Sequence, residues 1–491
     1  MAVGERPPEW EEPSRLVRLE ALYNRGVAPY GARYEISAEI SDLLPDFDRV
    51  LGTHQRLAGR LKAIRTHGGA AFADMDDGSG TLQLHLRSDL LQDDYGLVEL
   101  LDLGDIVGAE GDLIRTRRGE PTLEVSGLTV LAKALRPLPA KWHGLQDPDL
   151  RYRQRYLDMI ANPAVRDIFR RRAEVMREIR RQLDELGFVE VDTPILTPIA
   201  TGTAARPFIS HHHALDQSVY LRIATELYLK RLLVGGMHKV YELGRIFRNE
   251  GLDSFHNPEF TLLEVYQAFA DETVMMELAE QLISGVVVRL TGSPVLTYQG
   301  TRLDFTPPWP RISLPKLLEE EAGLDLAALG SESDWRQAAE ARGLAVEGKP
   351  LAKVIDAFFQ RYAEPHLEQP SFLIDYPRAI SPLAKAKPSA PHLTCRFEPF
   401  CLGKELGNGY AELNDPLDQR RRFVEQEAAR GQGDEEAHAF DEDFLTALEH
   451  GMPPAGGLGI GVDRLVMLVT DQASIRDVLP FPLLRNRPEQ P

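Results

Sequence analysis

The chain has 491 residues and a formal net charge of −19, a length that suggests two or three domains at roughly 150 residues each. Its hydrophobic content of 43% is typical of a globular protein, and the acidic balance excludes a uniformly basic nucleic-acid coat protein while leaving room for a local basic surface. The chain has only two cysteines, Cys395 and Cys401. With so few, we expect no disulfide framework and a reducing compartment.

The sequence also bears on location. It contains no run of about 18 apolar residues, so we expect no transmembrane helix and no membrane partner. The acidic, proline-containing segment 1–14 has the features of neither a signal peptide nor an arginine-rich transit peptide, and we expect it to be mobile. These features predict a cytoplasmic protein.

The first 135 residues predict a short helical layer followed by a small β-barrel. Residues 14–23 carry leucines at helical spacing behind Ser14, a candidate N-cap, and residues 42–51 continue the helical pattern. Residues 55–135 then form short apolar runs, mostly closed by Gly, Asp or Ser. This pattern is typical of a closed sheet of short strands.

A candidate nucleic-acid surface in this barrel centres on Phe72. A small barrel that binds single-stranded nucleic acid stacks the bases on aromatic rings beside basic side chains. Arg65 precedes Phe72 by seven residues, on the preceding strand, and Gln83 lies on the next strand. On the residues alone, a phenylalanine buried in the core is the more frequent explanation.

Residues 134–162 predict a linker whose second half, RYRQRYLD, is basic and aromatic. Its arginines fit two roles equally well: contact with an RNA backbone or a partner subunit, or a solvated, salt-bridged connection. An arginine-rich helix over 165–187 follows, and then a strand that ends near Pro194. Proline cannot donate in a central ladder, so this strand suits an interface edge.

Residues 218–239 predict a further helix that begins near Thr225, a plausible N-cap. Glu226 then falls in the first helical turn. On its position alone, this carboxylate serves to stabilise the positive end of the helix dipole.

The stretch 240–271 predicts two strands joined by a polar loop. The first strand ends with Arg248 and Glu250, which share a face. With a period of two, one face of the second strand carries Phe260, Leu262, Glu264 and Tyr266. Charges inside apolar strands are unfavourable unless paired or used, so a structural Arg–Glu pair and a functional site are equally good explanations.

Two carboxylates further along the chain suit a metal ion. A helical insertion over 311–362, with little visible chemistry, precedes them. Glu398 and Glu405 lie seven residues apart in RFEPFCLGKELGNGYAELN. Paired carboxylates fit Mg²⁺, which prefers oxygen ligands and shares them with substrate phosphates.

The same segment continues as a strand. One face of it carries Asn408, Tyr410 and Glu412. Glu405 has the opposite parity, so a regular strand cannot aim it together with Glu412. A bulge at Gly407 or Gly409 would allow this.

Residues 456–476, GGLGIGVDRLVMLVTDQASIR, predict a glycine-rich strand followed by a buried helix. Alternate glycines let a backbone approach a ligand closely. The apolar positions within 462–469 suit a buried helix that carries Arg464 at its start.

Three of these stretches resemble the signature motifs of the class II aminoacyl-tRNA synthetases. FRNEG followed by HNPEFT resembles motif 2, the helix and strand that end at Thr193-Pro194 resemble motif 1, and GGLGIGVDRL resembles motif 3. The barrel pattern AGR…F.D..D..G.LQ is similar to the OB-fold anticodon-binding domain of the aspartate, asparagine and lysine subgroup. RYRQRYLD is similar to the interdomain segment of its lysine-specific members, and the resemblance covers about residues 15–487.

The resemblance implies an α+β fold, with an N-terminal OB-fold β-barrel and a class II catalytic domain built on an antiparallel sheet of six or seven strands flanked by helices. We expect an N-terminal helical extension over 1–50, the OB-fold domain over 51–140, a linker over 141–162 and the catalytic domain over 163–491. The chain shows no convincing P-loop or G-x-G-x-x-G motif, which agrees with such a fold.

The resemblance also implies a set of site residues. Those expected to bind ATP are Arg248, Glu250, His256, Asn257, Phe260, Glu405 and Arg464, of which the two arginines are catalytic. Those expected to bind lysine are Gly202, Glu226, Glu264, Tyr266, Asn408, Tyr410 and Glu412. Mg²⁺ is expected on Glu398 and Glu405, and the anticodon on Arg65, Phe72, Gln83 and Glu120.

The activity implied by the resemblance has two steps. The carboxylate of L-lysine attacks the α-phosphorus of ATP and releases pyrophosphate, and the lysyl group of the adenylate then passes to the 3′ end of tRNA(Lys). Glu226 would receive the α-ammonium group of lysine, and Glu412 its ε-ammonium group. The implied partners are ATP, L-lysine, tRNA(Lys) and a second copy of the chain in a homodimer, with Mg²⁺ as cofactor.

Three alternatives stay open. Aspartate and asparagine synthetases share this architecture, but their pockets need a basic residue or an amide, and ELGNGYAELND is unlike their sequence. A lysine-to-protein ligase of the same family typically lacks the barrel domain. A catalytically silent tRNA-binding regulator fits poorly with the full set of Arg248, Arg464, Glu398 and Glu405.

Overall fold

The computed structural model describes residues 12–138, 145–431 and 439–486. The chain divides into two compact units, Met1–Pro163 and Ala164–Pro491. Most of the segment expected to be mobile, 1–14, lies outside the described residues, as do residues 139–144 around the start of the expected linker. Within the described ranges, no helix is both long and apolar enough to cross a membrane.

The first unit opens with helix α1 (Pro13–Asn24), and Leu22 on this helix is fully buried. The helix agrees with the leucine spacing, but Ser14 is not its N-cap. Glu12 occupies that position, and the Ser14 hydroxyl donates to Glu12 Oε1 at 3.2 Å. Proline at the first helical position, which has no N–H to satisfy, begins the helix one residue before Ser14.

The helix expected over 42–51 is wrong in extent. Helix α2 (Ile40–Leu43) has a single turn, and a 3₁₀ turn over Phe47–Arg49 follows it. Pro45 lies between them, and its ring nitrogen cannot donate the next intrahelical hydrogen bond.

In the described part of this unit, five strands close into a barrel in the order β1-β2-β3-β5-β4. They are β1 (His54–His67), β2 (Ala70–Asp76), β3 (Thr81–Arg87), β4 (Ile106–Arg115) and β5 (Pro121–Ala132). Helix α3 (Ser88–Leu91) and a 3₁₀ segment (Gln92–Leu100) connect β3 to β4. Every second residue of β3 is buried, as a half-covered strand requires. The predicted barrel is confirmed.

The described part of the linker forms two short helices, α4 (Pro148–Arg153) and α5 (Arg155–Ala161). Asp158 is fully buried and accepts from Arg151 and Arg155, each at 3.0 Å. For these two arginines the structure favours the salt-bridged connection over a free RNA-binding surface.

The second unit contains the remaining helices and strands. Its helices are α6 (Pro163–Glu185), α7 (Glu226–Val234), α8 (Glu272–Thr291), α9 (Leu314–Ala322), α10 (Glu332–Ala341), α11 (Leu351–Phe358), α12 (Pro416–Gly431), α13 (Glu442–Glu449), α14 (Val462–Thr470) and α15 (Ile475–Val478). Its strands up to the insertion are β6 (Val189–Glu190), β7 (Leu196–Thr197), β8 (Ile209–His212), β9 (Gln217–Leu221), β10 (Lys239–Phe247), β11 (Glu259–Ala268), β12 (Val295–Tyr298), β13 (Thr301–Asp304) and β14 (Arg311–Ser313). The later strands are β15 (Ser371–Ile374), β16 (Ala386–Lys387), β17 (Ala390–Thr394), β18 (Arg396–Cys401), β19 (Lys404–Glu405), β20 (Gly407–Ala411) and β21 (Ala455–Gly461).

The large sheet of this unit has nine strands within the described residues, in the order β14-β15-β18-β20-β21-β11-β10-β6, with β19 paired to β18. The expectation of six or seven antiparallel strands is therefore wrong in two respects. The extra strands β6, β14 and β19 have only two or three residues each. The edge pairs β6–β10 and β14–β15 are parallel, and each joins segments far enough apart in the chain for the crossover connection that parallel pairing needs.

One face of this sheet packs on α6, α8 and α14 to form the main apolar core. Leu263, Val265, Leu458 and Ile460 point into it from the two central strands β11 and β21. In α14 the positions expected to be buried are at most 6% exposed. Since the core takes every second residue of each central strand, the alternate residues are left to face the other side.

The insertion over 311–362 is helical, as predicted. Helices α9, α10 and α11 and a π-helical turn (Phe359–Ala363) pack around a separate apolar cluster that contains Trp335 and Phe358. The insertion contributes polar side chains, among them Arg336, Lys353 and Asp356, to the wall of the cavity on the open face of the sheet.

Candidate active site

The open face of the large sheet forms the floor of a cavity of about 1230 Å³. Cross-strand pairing sets the rows of this floor. Glu264 of β11 lies opposite Gly459 of β21, which lies opposite Asn408 of β20. The neighbouring row joins Tyr266, Gly457 and Tyr410. The alternation read from the sequence thus places these polar side chains on one surface.

Because β21 has glycine at alternate positions, no side chains project from the middle of the cavity floor. A Cβ placed on Gly459 or Gly461 would lie no closer than 3.7 Å to the described atoms around it. At Gly457 a Cβ would overlap Glu412 Oε1 and lie 2.6 Å from Cε1 of Tyr266. The glycines therefore leave a trough, and Gly457 also makes room for two side chains of the site.

Arg248 stands at one end of the trough, directly after β10. Its guanidinium carbon lies 5.2 Å from the ring centre of Phe260. Burial lowers the pKa of Arg248 from its ordinary value, and the neighbouring carboxylates of Glu250, Glu405 and Glu264 oppose this shift. Arginine stays protonated in such surroundings, so the trough carries a fixed positive charge at this end.

Arg464, in the first turn of α14, lines the same cavity. Its Nη1 donates to the backbone oxygen of Glu405 at 2.5 Å, and its Nη2 lies 3.3 Å from Nε2 of His256. His256 Nδ1 in turn lies 2.7 Å from Asp253 Oδ2. These contacts join the loop after β10 to the strand β19.

Two further residues expected at the nucleotide lie beside this cluster. Asn257 is buried and donates from Nδ2 to the backbone oxygen of Glu259 at 2.6 Å, while its Oδ1 has no hydrogen-bond partner among the described residues. Glu250 is exposed at the cavity rim. The structure therefore brings together the residues that the sequence assigned to ATP.

The carboxylates Glu398 and Glu405 lie on the same face of adjacent strands. Glu398 Oε1 accepts from Arg396 Nη2 at 2.7 Å, and Oε2 accepts from the Tyr376 hydroxyl at 2.6 Å. Burial raises the pKa of Glu398 to about 7; Arg396 opposes this shift and Glu405 adds to it. Each bonded oxygen keeps a second lone pair, and an all-oxygen set of two carboxylates fits Mg²⁺.

A strand irregularity brings Glu405 onto this face. β18 pairs Phe397 with Gly409 in β20, but Phe400 with Glu405 in β19, which is one residue out of step. The extra residue is Leu406, whose side chain is 3% exposed. The bulge needed for Glu405 exists, and it lies at Leu406 rather than at the glycines 407 or 409.

The other end of the trough is acidic. Glu264 Oε1 accepts from the backbone N–H of Thr225 at 3.0 Å, and Oε2 accepts from the Tyr266 hydroxyl at 3.1 Å. Burial raises the pKa of Glu264 to about 7, and the negative charge of Glu226 adds to this shift. The Glu226 carboxylate accepts from the Tyr410 hydroxyl at 2.5 Å.

Glu412 lies at the closed end, just beyond β20, and is 1% exposed. Its carboxylate sits over Gly457 instead of forming the cavity wall. Burial raises the pKa of Glu412 to about 8, against the effect of the nearby Lys230. Neither carboxylate oxygen accepts a well-aligned hydrogen bond from the described residues, although Lys230 Nζ lies 2.5 Å from Oε2.

Lys230 is a buried charged residue at this end that the sequence reasoning missed. It lies on α7 four residues after Glu226, and its Nζ is also 2.5 Å from Glu226 Oε1. A spacing of four residues on one helix is a local signal for such a pair. The contact with Glu412 has no local signal, because it joins α7 to the end of β20.

Gly202 lies where the resemblance implied, whereas Thr225 does not cap α7 with its side chain as expected. Gly202 lines the cavity with φ +99°, a conformation that favours glycine. Thr225 occupies the N-cap position of α7, but its side chain makes no capping bond and its Oγ1 is buried without a partner in the described structure. Its backbone N–H instead donates to Glu264.

On the barrel of the first unit, pairing places Arg65 opposite Phe72, Phe72 opposite His85, and His85 opposite Glu124. Phe72 is half-buried on the outer face, and its ring stacks on His85 at 4.5 Å with 1° between the planes. The explanation of Phe72 as a core residue is wrong. Strand alternation from Gln83 could have identified His85.

The other expected barrel residues lie nearby. Gln83 pairs across to Thr122 and accepts from its hydroxyl at 3.0 Å. Glu120 is exposed in the turn two residues before Thr122. Arg65 pairs with Asp74, with Nη2 and Oδ1 2.8 Å apart. This outer face therefore offers an aromatic stack with a basic and an amide side chain beside it.

Comparison with known families defines the class of protein. Residues 147–485 match the family described as tRNA synthetases class II (D, K and N), and residues 55–131 match the OB-fold nucleic acid binding domain. The chain belongs to the class II tRNA synthetases of this aspartate, lysine and asparagine group.

Within this group, the chain is similar over nearly its full length to several lysine–tRNA ligases. The chain is 56% identical to a lysine–tRNA ligase of Moorella thermoacetica, over 97% of this chain and 98% of the relative. It is 52% identical to a lysine–tRNA ligase of Carboxydothermus hydrogenoformans, over 96% and 97%, and 50% identical to one of Pelotomaculum thermopropionicum, over 96% and 94%. The similarity therefore extends through both units of the chain.

Proposed function

We propose that this chain is a lysine–tRNA ligase, which activates L-lysine with ATP and transfers it to tRNA(Lys). The observation that carries the proposal is the acidic end of the trough, where Glu226 and Glu264 line the same cavity as Arg248. The buried carboxylate of Glu412 lies beside this end, over Gly457. Buried carboxylates would repel the side chain of aspartate and would gain little from asparagine. They suit a substrate with more than one ammonium group.

In the first step, an oxygen of the lysine carboxylate forms a bond to the α-phosphorus of ATP. The bond from that phosphorus to the bridging oxygen breaks, and pyrophosphate leaves. The attacking carboxylate is already ionised at neutral pH, so the chain does not have to supply a general base. Catalysis consists of positioning and of charge stabilisation by fixed groups.

Arg248 and Arg464 supply that fixed positive charge. Arg248 lies over the ring of Phe260. Adenine would stack on that ring, and Arg248 would contact the α-phosphate. Arg464 holds the backbone of Glu405 and lies beside His256, which favours contact with the terminal phosphates. Asn257 and Glu250 complete the nucleotide end.

Glu398 and Glu405 would hold Mg²⁺ with the phosphates of ATP. Bound there, the ion would neutralise phosphate charge. The described residues include no cluster of three or more His, Cys, Asp or Glu side chains suited to a metal ion. An ion held by two carboxylates would take its further oxygen ligands from phosphate and water. Tyr376 and Arg396 hold Glu398 in place.

Lysine would lie along the trough from Arg248 to Glu412. Glu226 would receive the α-ammonium group, and Glu412, with Glu264 and Tyr266, the ε-ammonium group. The pocket is completed by Gly202, Asn408 and Tyr410. A site built around buried charges rejects neutral analogues because they leave those charges unpaired.

The outer face of the barrel would bind the anticodon. Arg65, Phe72, Gln83 and Glu120 are assigned to this role, and an aromatic surface with basic and amide groups beside it suits unpaired bases. The stacked pair of Phe72 and His85 offers that surface.

We also propose a cytoplasmic homodimer. Apolar side chains are exposed around β6, β7 and β8: Val189 at 50%, Ile195 at 48%, Leu196 at 53% and Ile209 at 66%. Together with Pro194 they form an apolar edge that a second copy would cover. Sedimentation of the wild-type protein tests this, and a monomer at micromolar concentration would contradict it.

The proposed activity is tested by ATP–pyrophosphate exchange with each standard amino acid in turn. We expect exchange with lysine alone. Exchange with aspartate or asparagine would keep the family and overturn the assignment of the acidic pocket. A folded protein that exchanges with no amino acid, in the presence of Mg²⁺, would support a catalytically silent tRNA-binding protein.

A further inference from the structure

Lys230 is a buried cation that the proposed reaction does not use. It is 0% exposed, and its Nζ lies 2.5 Å from Glu226 Oε1 and 2.5 Å from Glu412 Oε2. The rings of Tyr410 and Phe444 lie 5.5 and 5.8 Å from Nζ. One lysine side chain therefore joins the two carboxylates assigned to the two ends of the substrate lysine.

Its charge is maintained by these contacts. Burial, the largest influence, would lower the pKa of Lys230, but the charges of Glu226 and Glu412 outweigh it and raise the pKa above its ordinary value. An unpaired ammonium group in this position would be strongly unfavourable. Lys230 is thus protonated when the pocket carboxylates are ionised.

The charges at the acidic end can be counted from the described residues. Glu226, Glu264 and Glu412 are buried carboxylates, and Lys230 is a cation in contact with Glu226 and Glu412. When all three carboxylates are ionised, as they must be to bind ammonium groups, their three negative charges and the one positive charge of Lys230 leave two negative charges. A molecule of lysine brings two ammonium groups to this end, while its carboxylate belongs with the phosphate-binding arginines.

We propose that Lys230 is a positioning residue that determines specificity: it neutralises one of the three pocket carboxylates and leaves the two negative charges that one lysine substrate neutralises. This inference rests on the proposed lysine–tRNA ligase activity and adds a residue to it. Lys230 acts through Glu226 and Glu412 and does not touch the reacting atoms.

The charge balance predicts opposite effects of Lys230 in two backgrounds. In the wild type, Lys230→Met leaves three carboxylates crowded in a buried space. Like charges in such a site force one carboxylate to take up a proton, so one of the groups that would bind an ammonium group of the substrate is lost. In a Glu412→Gln background the balance is reversed, because Lys230 then places surplus positive charge next to the ε-ammonium group of the substrate.

The experiment is the double-mutant cycle of Lys230→Met and Glu412→Gln, read as the lysine KM in ATP–pyrophosphate exchange. We expect Lys230→Met alone to raise the lysine KM about tenfold or more, with kcat and the ATP KM within about twofold of wild type. We expect the double variant to have a lysine KM about fivefold or more below that of Glu412→Gln alone. If the role of Lys230 were purely structural, Lys230→Met would raise the lysine KM both in the wild type and in the Glu412→Gln background.

Arg231→Met is the matched control. Arg231 is the next cation on α7, but it pairs with Asp441 and Asp443, away from the pocket carboxylates. We expect the lysine KM of Arg231→Met to stay within about twofold of wild type, since an ion pair of this kind contributes little free energy and does not contact the pocket carboxylates.

Two results would overturn the proposal: a lysine KM of Lys230→Met within twofold of wild type, or a double variant no better than Glu412→Gln. If Lys230→Met does not fold, the comparison of the double variant with Glu412→Gln still tests the proposal. The double variant should fold, because replacing a buried ion pair by uncharged side chains of similar size is usually tolerated. Absence of lysine-dependent exchange by the wild type would instead refute the proposed function itself.

Discussion

Gly459 gives the sharpest test of where the amino acid lies. It occupies the row between Glu264 and Asn408, and a Cβ placed on it would have no described atom closer than 3.7 Å. Gly459→Ala should therefore leave the fold intact. Alanine also loses less backbone entropy than glycine in a strand, a gain of roughly 0.5–1 kcal/mol, so we expect no fall in Tm.

The same methyl group would project into the space assigned to lysine. Adding a methyl to a filled site costs about 1–3 kcal/mol, which corresponds to a rise in the lysine KM of roughly 5- to 150-fold. The assay is ATP–pyrophosphate exchange at saturating ATP, with thermal unfolding measured on the same preparations.

Gly461→Ala is the matched control for this substitution. A Cβ there would have similar space, with its nearest described neighbours at 3.7 to 3.9 Å, but these include Arg464 at the nucleotide end. We expect it to raise the ATP KM more than the lysine KM. A lysine KM of Gly459→Ala within twofold of wild type, or one that rises only as Tm falls, would refute the assignment of this row to lysine.

Four other predictions follow from contacts and pKa shifts in the two units. Phe72→Ala should weaken tRNA binding by about 1–3 kcal/mol for the loss of one stacked base and leave ATP–pyrophosphate exchange unchanged; equal loss of both would argue against an anticodon role. Arg172→Met should lower the free energy of unfolding by about 3–5 kcal/mol in urea titrations, because it leaves the buried carboxylate of Asp463 without its charged partner. The lysine KM should fall as the pH rises from 6 to 8, because the pKa values of Glu264 and Glu412, about 7 and about 8, mean that both must lose protons to bind ammonium groups; a KM that rises over this range would contradict it. Because both pKa values are raised above those of the unfolded chain, the free energy of unfolding of the lysine-free protein should decrease over the same range.

Much of the catalytic site was determined locally by the sequence. The period of two in β11 placed Phe260, Glu264 and Tyr266 on one face, and the alternate glycines of β21 predicted a strand that a ligand can approach. Both depend only on the pleat of a strand, so they hold wherever the strand pairs. The apolar spacing of α14 likewise fixed which of its residues are buried.

Tertiary pairing decided the remaining features. The one-residue offset at Leu406 turned Glu405 toward Glu398, and the sequence could only state that a bulge was required. Phe72 faces outward because β2 pairs on both sides within the barrel and buries the alternate residues instead. Two of the added sheet strands, β6 and β14, are held at the edges by parallel partners distant in the chain.

The acidic pocket shows the difference most directly. Taken residue by residue, the sequence offered a local explanation for Glu226 and Glu264 and only a strand face for Glu412, and the three came together only through the family resemblance. Only the fold brings Lys230 of α7 within 2.5 Å of Glu412 at the end of β20. The charge of a buried site depends on which groups meet in space, because attraction and desolvation are set by distance and burial and not by position in the chain.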